Sequence, residues 1–334
     1  MVHNQRMSDE TLALLEHLLR DDVRTVPSDD GIGAWWSRVH LDTAESAPPI
    51  DHAIVAGFRA DRCAGAFAGG YQAALRRLVP AGLPPHDIVS FCVTEPAGNS
   101  AKAIEARLTP RGGGYLLSGQ KRWSTMAPLA RILLVAAHEG VDDDGRKRFK
   151  LVRVDADAPG VTMRPMPPTT FVPEVPHAEL EFRDVAVGLD AALPGDGYTG
   201  YVKRFRTIED AHIRAAVLAY MLSVARRFRF PDAVKEALVA GIVTLRALAL
   251  MDPDAAATHV ALAGALTQDA ELLAGAEDHW HSVDPGERDR WRRDRVMFGA
   301  VAGRIREARR ARAWERLTAT PPGSSRAPGA RPGR

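Results

Sequence analysis

Two hydrophobic periods divide the chain. Near the start, Leu12, Leu15 and Leu19 recur at helical spacing, with Leu14 and Leu18 widening the stripe, and Ser8 is placed to cap a helix running to about Asp21. Asp29-Asp30-Gly31 and Pro48-Pro49 are breaks. Ile50 to Leu78 reads as one helix containing Gly65, Gly69 and Gly70, small residues that suit close packing at a propensity cost of about 1 kcal/mol per glycine. From Ile88 to about Val187 the period becomes two. Gly112-Gly113-Gly114 reads as a hairpin turn between the β-rich runs Ala103 to Leu108 and Tyr115 to Ser118. Ile132 to Ala137 predicts a buried strand, Phe149 to Val154 and Glu179 to Val187 alternate, and Val161 to Pro176 is proline-rich and irregular. From Tyr201 the helical period returns, with a stripe at Ile213, Val217, Tyr220, Met221 and Val224. Further helices are expected from Pro231 to Leu250, Ala255 to Trp280, and Pro285 to Leu317.

These patterns predict an α+β chain in three parts: an N-terminal helical domain (1–87), a middle β-domain (88–188) and a C-terminal four-helix bundle (189–319). The tail 320–334, rich in Pro, Gly, Ser and Arg, is expected to be disordered.

Composition narrows the function classes. At 334 residues, 46% hydrophobic and 26% charged, the chain has the make-up of a soluble globular protein with a substantial core. A net charge of +2 gives no global pull toward nucleic acid. The last predicted helix is locally rich in arginine, but interleaved acids make a solvated or interface face the leading reading. Cys63 and Cys92 lie in apolar surroundings and make no disulfide framework, so a reduced cytoplasmic compartment is the expectation. No run is long and apolar enough to span a bilayer, and Met1 to Arg6 has no signal-peptide character.

The informative stretch is Phe91 to Thr125. An apolar run ends in Val93-Thr94-Glu95-Pro96; Gly114-Tyr115, Ser118-Gly119-Gln120-Lys121 and Trp123-Ser124-Thr125 follow in that order. An aromatic face beside hydroxyls and strand-edge amides suits a flat, polar-rimmed heterocycle. In this order the motifs resemble the middle domain of the acyl-CoA dehydrogenase family, clearly over about Ile88 to Gly197. The resemblance implies FAD held between a β-domain and helices, with Trp123 over one face of the ring system and Ser124, Thr125, Cys92, Val93 and Thr94 along its edge. It places Ser100 near the substrate, although Asn99 and Ala101 stand where the family has Gly and Asp. Arg227, followed by Phe230, resembles an arginine that touches the FAD pyrophosphate of a neighbouring subunit. The resemblance further implies a homodimer or homotetramer, an acyl-CoA or related thioester substrate, and electron-transfer flavoprotein or oxygen as acceptor.

Dehydrogenation at the α,β carbons needs a carboxylate to take the α-proton. The family's usual late base segment is missing here, but one branch carries its base on the first helix after the β-domain. Glu209 lies at about that place, and Asp210 is the alternative. The plain reading of both is a pair of acids favourable near a helix N-terminus. Glu209-x-x-His212 and Asp278-x-x-His281 also have the spacing of di-iron bundles, yet their further ligands cannot be chosen, and no metal is expected. A flavin monooxygenase of the same fold and a catalytically inactive scaffold are the alternative functions.

Overall fold

The computed structural model describes residues 2–20, 22–39, 47–298 and 303–319; the expected disordered tail lies outside them. The element order follows the three-part expectation. Helices α1 (Val2–Arg20), α2 (Ile32–Val39), α3 (Pro49–Arg59) and α4 (Cys63–Leu78) come first. Strands follow: β1 (Val89–Cys92), β2 (Arg107–Arg111), β3 (Gly114–Thr125), β4 (Ile132–Val141), β5 (Lys147–Asp155), β6 (Val161–Pro165) and β7 (His177–Gly188). Helices α5 (Lys203–Arg227), α6 (Asp232–Leu250), α7 (Ala256–Gly275), α8 (Pro285–Asp294) and α9 (Gly303–Thr318) complete the chain. No described helix is long and apolar enough to cross a membrane.

The strands form one mixed sheet in the order β1-β4-β2-β3-β7-β6, with β5 on the other side of β4. Gly112 and Gly113, both at positive φ, make the two-residue turn between β2 and β3, where Arg111 faces Gly114. The unbroken apolar run of β4 has a simple cause: both of its faces are covered. Leu133, Val135 and Ala137 join Leu117, Val152, Leu180 and Phe182 in the core of the β-domain. Leu134 and Ala136 instead join Phe149 and Leu151 in the larger core shared with the helices.

Helix α5 is the centre of that larger core. It is buried almost all round, with α3, α4 and α6 packed against it. Two glycines allow the close approach. A Cβ on Gly57 would lie 1.9 Å from the Ala216 carbonyl oxygen, and one on Gly70 would lie 2.6 Å from Ile213 Cα. Arg246 of α6 pairs with buried Asp51 of α3 at 2.6 Å, joining the N-terminal helices to the bundle.

Several local expectations are corrected. The leucine stripe of α1 buries Leu14 and Leu18, while Leu12 and Leu19 face solvent, and the helix starts at Val2 rather than after Ser8. The long helix Ile50 to Leu78 is broken at Ala60–Arg62. Val26 and Ala60 form a β-bridge there, and the Asp61 carboxylate accepts from the amide and hydroxyl of Ser28, so tertiary contacts hold the chain extended. The strand expected from Ala103 begins at Arg107, because the Glu95 carboxylate takes the Glu105 and Ala106 amides first. The last helix is two, α8 and α9, with a 3-10 turn over Arg295–Phe298 between them.

Candidate active site

A cleft of about 1360 Å³ opens between the β-domain and the C-terminal helices. Its β wall is built on a buried ion pair. Lys121 Nζ lies 2.7 Å from Glu95 and 3.3 Å from the Val93 carbonyl oxygen, and the lysine side chain has no solvent exposure. The Arg122 amide donates to Thr94 O at 2.7 Å. The Val93-Thr94-Glu95 edge and the end of β3 are thereby locked together, which explains why Glu95 and Lys121 accompany the aromatic and hydroxyl residues.

Beyond Lys121 the pairing of β3 with β7 slips: Lys121 faces Leu180, but Ser124 faces Ala178. This bulge carries Trp123 at φ +56, a backbone region unfavourable for a bulky residue. The residue is 47% exposed, and its ring stands edge-on to His177, with centroids 5.9 Å apart. Trp123, Thr125, Val93 and Thr94 all line the cleft. Ser124 alternates to the other side of the strand and is buried beside Cys92, which joins the β-domain core and whose thiol burial pushes up to about 11.

The opposite wall starts with α5. Glu209 faces the cleft and pairs with Arg206 at 2.8 Å. Burial raises the pKa of its carboxyl above the ordinary value; Arg206 only partly offsets this. Asp210 behaves differently. Burial opposes its ionisation, but Arg306 at 2.8 Å and Arg309 at 2.7 Å prevail and hold it below the usual carboxylate range. An aromatic group completes this side: Phe205 lies 4.5 Å from Phe91 and 5.9 Å from Tyr71, centroid to centroid.

The arginine-rich end of the chain also reaches the cleft. Arg306, Arg309, Arg312 and Arg316 line it from one face of α9. Arg309 also donates to the Thr207 hydroxyl at 3.1 Å, and His259 of α7 sits 3.4 Å from the same oxygen. Arg312 and Arg316 have no carboxylate partner among the described residues. Seven basic and three acidic side chains line the cleft, so it favours a multiply charged anion. This basic face, expected to be solvated or at an interface, lines the cleft because of where α9 docks.

Three other sequence candidates lie elsewhere. Ser100 is exposed in the turn after Asn99 and accepts a bond from the Ala103 amide; Asn99, not Ser100, lines the cleft. Arg227 lies at the far end of α5, held by Glu287. His212 is buried with Nδ1 2.8 Å from the Ile208 carbonyl oxygen, while Glu209 turns to Arg206, so that pair does not converge. No cluster of metal-ligating side chains occurs among the described residues.

Comparison with known proteins places this geometry. Residues 90–185 match the family model described as acyl-CoA dehydrogenase, middle domain. The benzylmalonyl-CoA dehydrogenase of Aromatoleum aromaticum is 33% identical over 160 residues, covering 47% of this chain and 40% of that protein. Curated relatives are matched over only about 36–40% of their own length. Two solved structures extend the likeness in fold to nearly the whole chain. The acyl-CoA dehydrogenase from Geobacillus kaustophilus has a TM-score of 0.65 at 14% identity, covering 92% of this chain and 97% of that one. PigA with FAD and proline has a TM-score of 0.62 at 15% identity, with the same coverage.

Proposed function

Taking as premise that the chain belongs to the acyl-CoA dehydrogenase family, by its middle domain and its fold, we propose that it is an FAD-dependent oxidoreductase that dehydrogenates an acyl thioester between its α and β carbons. The residues present fit such a cofactor. Trp123 is turned outward to cover a flat ring, and Thr94 and Thr125 offer hydroxyls and amides to its edge. Arg312 and Arg316 are free to meet phosphate oxygens, on the dinucleotide or on the thioester carrier. FAD, when bound, supplies the hydride acceptor.

The observation that carries the reading is Glu209, a partly buried carboxylate of raised pKa on the wall of a cleft whose other wall is Trp123 and Thr125. Glu209 takes the α-proton, and its raised pKa makes it a stronger base than an exposed glutamate. Arg206 fixes its orientation. Asp210 is the weaker candidate, because two arginines hold it ionised and it serves to anchor α9. A homodimer or homotetramer, with electron-transfer flavoprotein or oxygen as acceptor, belongs to the same reading.

Absorption spectroscopy of the purified protein tests it. Oxidised-flavin bands, with FAD released on heating, are expected, and an acyl-CoA should bleach them. Glu209→Gln should keep the flavin and lower the bleaching rate by about 100-fold or more. In the parent protein that rate should rise with pH through a pKa above the ordinary glutamate value, since the deprotonated form is the active one. A colourless protein that takes up no FAD would move the reading to an inactive scaffold.

A further inference from the structure

We propose that Arg214 recognises a second anionic group on the acyl chain, so that the cleft selects thioesters whose acyl part ends in a carboxylate. This rests on the thioester reading above and adds a substrate class to it.

Arg214 lies on α5, five residues beyond Glu209, and lines the same cleft. It is 3% exposed. Its guanidinium carbon stands 4.7 Å from the Phe298 ring centroid, and Nη2 reaches the Phe298 carbonyl oxygen only at 3.5 Å. Nη1 is buried and donates to nothing among the described residues. The carboxylates that could neutralise it are not joined to it. Asp210, one turn back, is taken by Arg306 and Arg309. Asp269 of α7 feels its field but forms no ion pair with it among the described residues.

A buried guanidinium without a carboxylate partner is unfavourable, and removing such a charge ordinarily stabilises a core. A ligand carboxylate would complete the site, because the planar fork matches two carboxylate oxygens. Five residues of helix rise about 7.5 Å and turn the side chain by about 140°, yet Glu209 and Arg214 both line the one cleft, so an acyl chain whose α-carbon meets Glu209 can extend along α5 toward a terminal anion at Arg214. A methyl-ended chain would leave the guanidinium dry and unpaired, so the site discriminates against it as well as favouring the diacid.

The test is calorimetric binding of succinyl-CoA and butyryl-CoA, which differ in a carboxylate for a methyl, to the full chain with its flavin. The parent protein is expected to bind succinyl-CoA at least about tenfold more tightly. Arg214→Met should abolish that difference with no loss of melting temperature, and Arg214→Lys should keep part of it. Asp269→Asn should leave it intact. Equal affinities in the parent, or a preference that survives Arg214→Met, would overturn the assignment; so would a lower melting temperature in Arg214→Met, which marks a structural arginine. Selective binding without bleaching would sink the dehydrogenation and leave the anion site standing. Bleaching by butyryl-CoA at least as readily as by succinyl-CoA would do the reverse, and binding of neither thioester would remove both.

Discussion

At the scale of the residue, Trp123 shows how strain marks a site. A left-handed backbone costs a bulky side chain roughly 1–2 kcal/mol, and the β3 bulge imposes it on an indole that is half exposed. The ring therefore adds little to the folded state. Trp123→Gly is expected to leave the melting temperature within a few degrees of the parent, relief of strain offsetting the added freedom of the unfolded chain. Flavin affinity should fall by about tenfold or more, read by fluorescence titration. A large loss of stability would show instead that the ring is packing material. The aromatic-hydroxyl motif was readable in the sequence; the bulge was not, because it depends on how many β7 residues face this part of β3. Glu209 was likewise readable as a candidate, whereas its pairing with Arg206 was one of several spacings open to a helix with three basic residues near its start, Lys203, Arg204 and Arg206.

At the scale of the element, the decisive unit is the Lys121–Glu95 pair joining the end of β1 to β3. Lys121 is buried, and Glu95 also accepts two amides that set where β2 begins. Lys121→Met keeps the volume but leaves a buried carboxylate without its cation. A loss of about 3–5 kcal/mol in unfolding free energy is expected by denaturant titration. Near-neutral stability would mean that the two amides suffice for Glu95. Helix propensity and period located most of the helices. They failed at Ala60–Arg62, where local sequence is helical and a bridge to Val26 and bonds to Asp61 prevail. They failed again after Asp294, where the basic run leaves the α-helix for a 3-10 turn over Arg295–Phe298.

At the scale of the whole molecule, α5, α7 and α9 close around charged groups in a dry interior. Asp269 is 3% exposed, and burial pushes its carboxyl up to about 6 from 3.8, with Arg214 pulling the other way. A raised pKa means that the folded protein holds this proton more tightly than the unfolded chain. The contribution to stability is thus full below about pH 4 and lost as pH rises to about 6. Asp269→Asn should remove that slope and stabilise the protein at pH 7 by about 1–3 kcal/mol. Thermal melts of both proteins from pH 4 to 7 check this; parallel curves would show that Asp269 finds a charge partner in solution.

The sequence by itself determined the three-part order of helices, sheet and helices, because hydrophobic period is a local property set by which faces a segment buries. It also located the β wall of the cleft, because Val93-Thr94-Glu95 and Trp123-Ser124-Thr125 are short motifs, which the bond from the Arg122 amide to the Thr94 carbonyl holds side by side. Tertiary structure alone decided the opposite wall. Arg306 and Arg309 lie about a hundred residues from Asp210, and only the docking of α9 turns an apparently solvated basic face into the lining of a cleft. It alone left Arg214 buried without a carboxylate partner: in sequence an arginine in the middle of a helix looks exposed, and what makes this one otherwise is that α5 is buried almost all round.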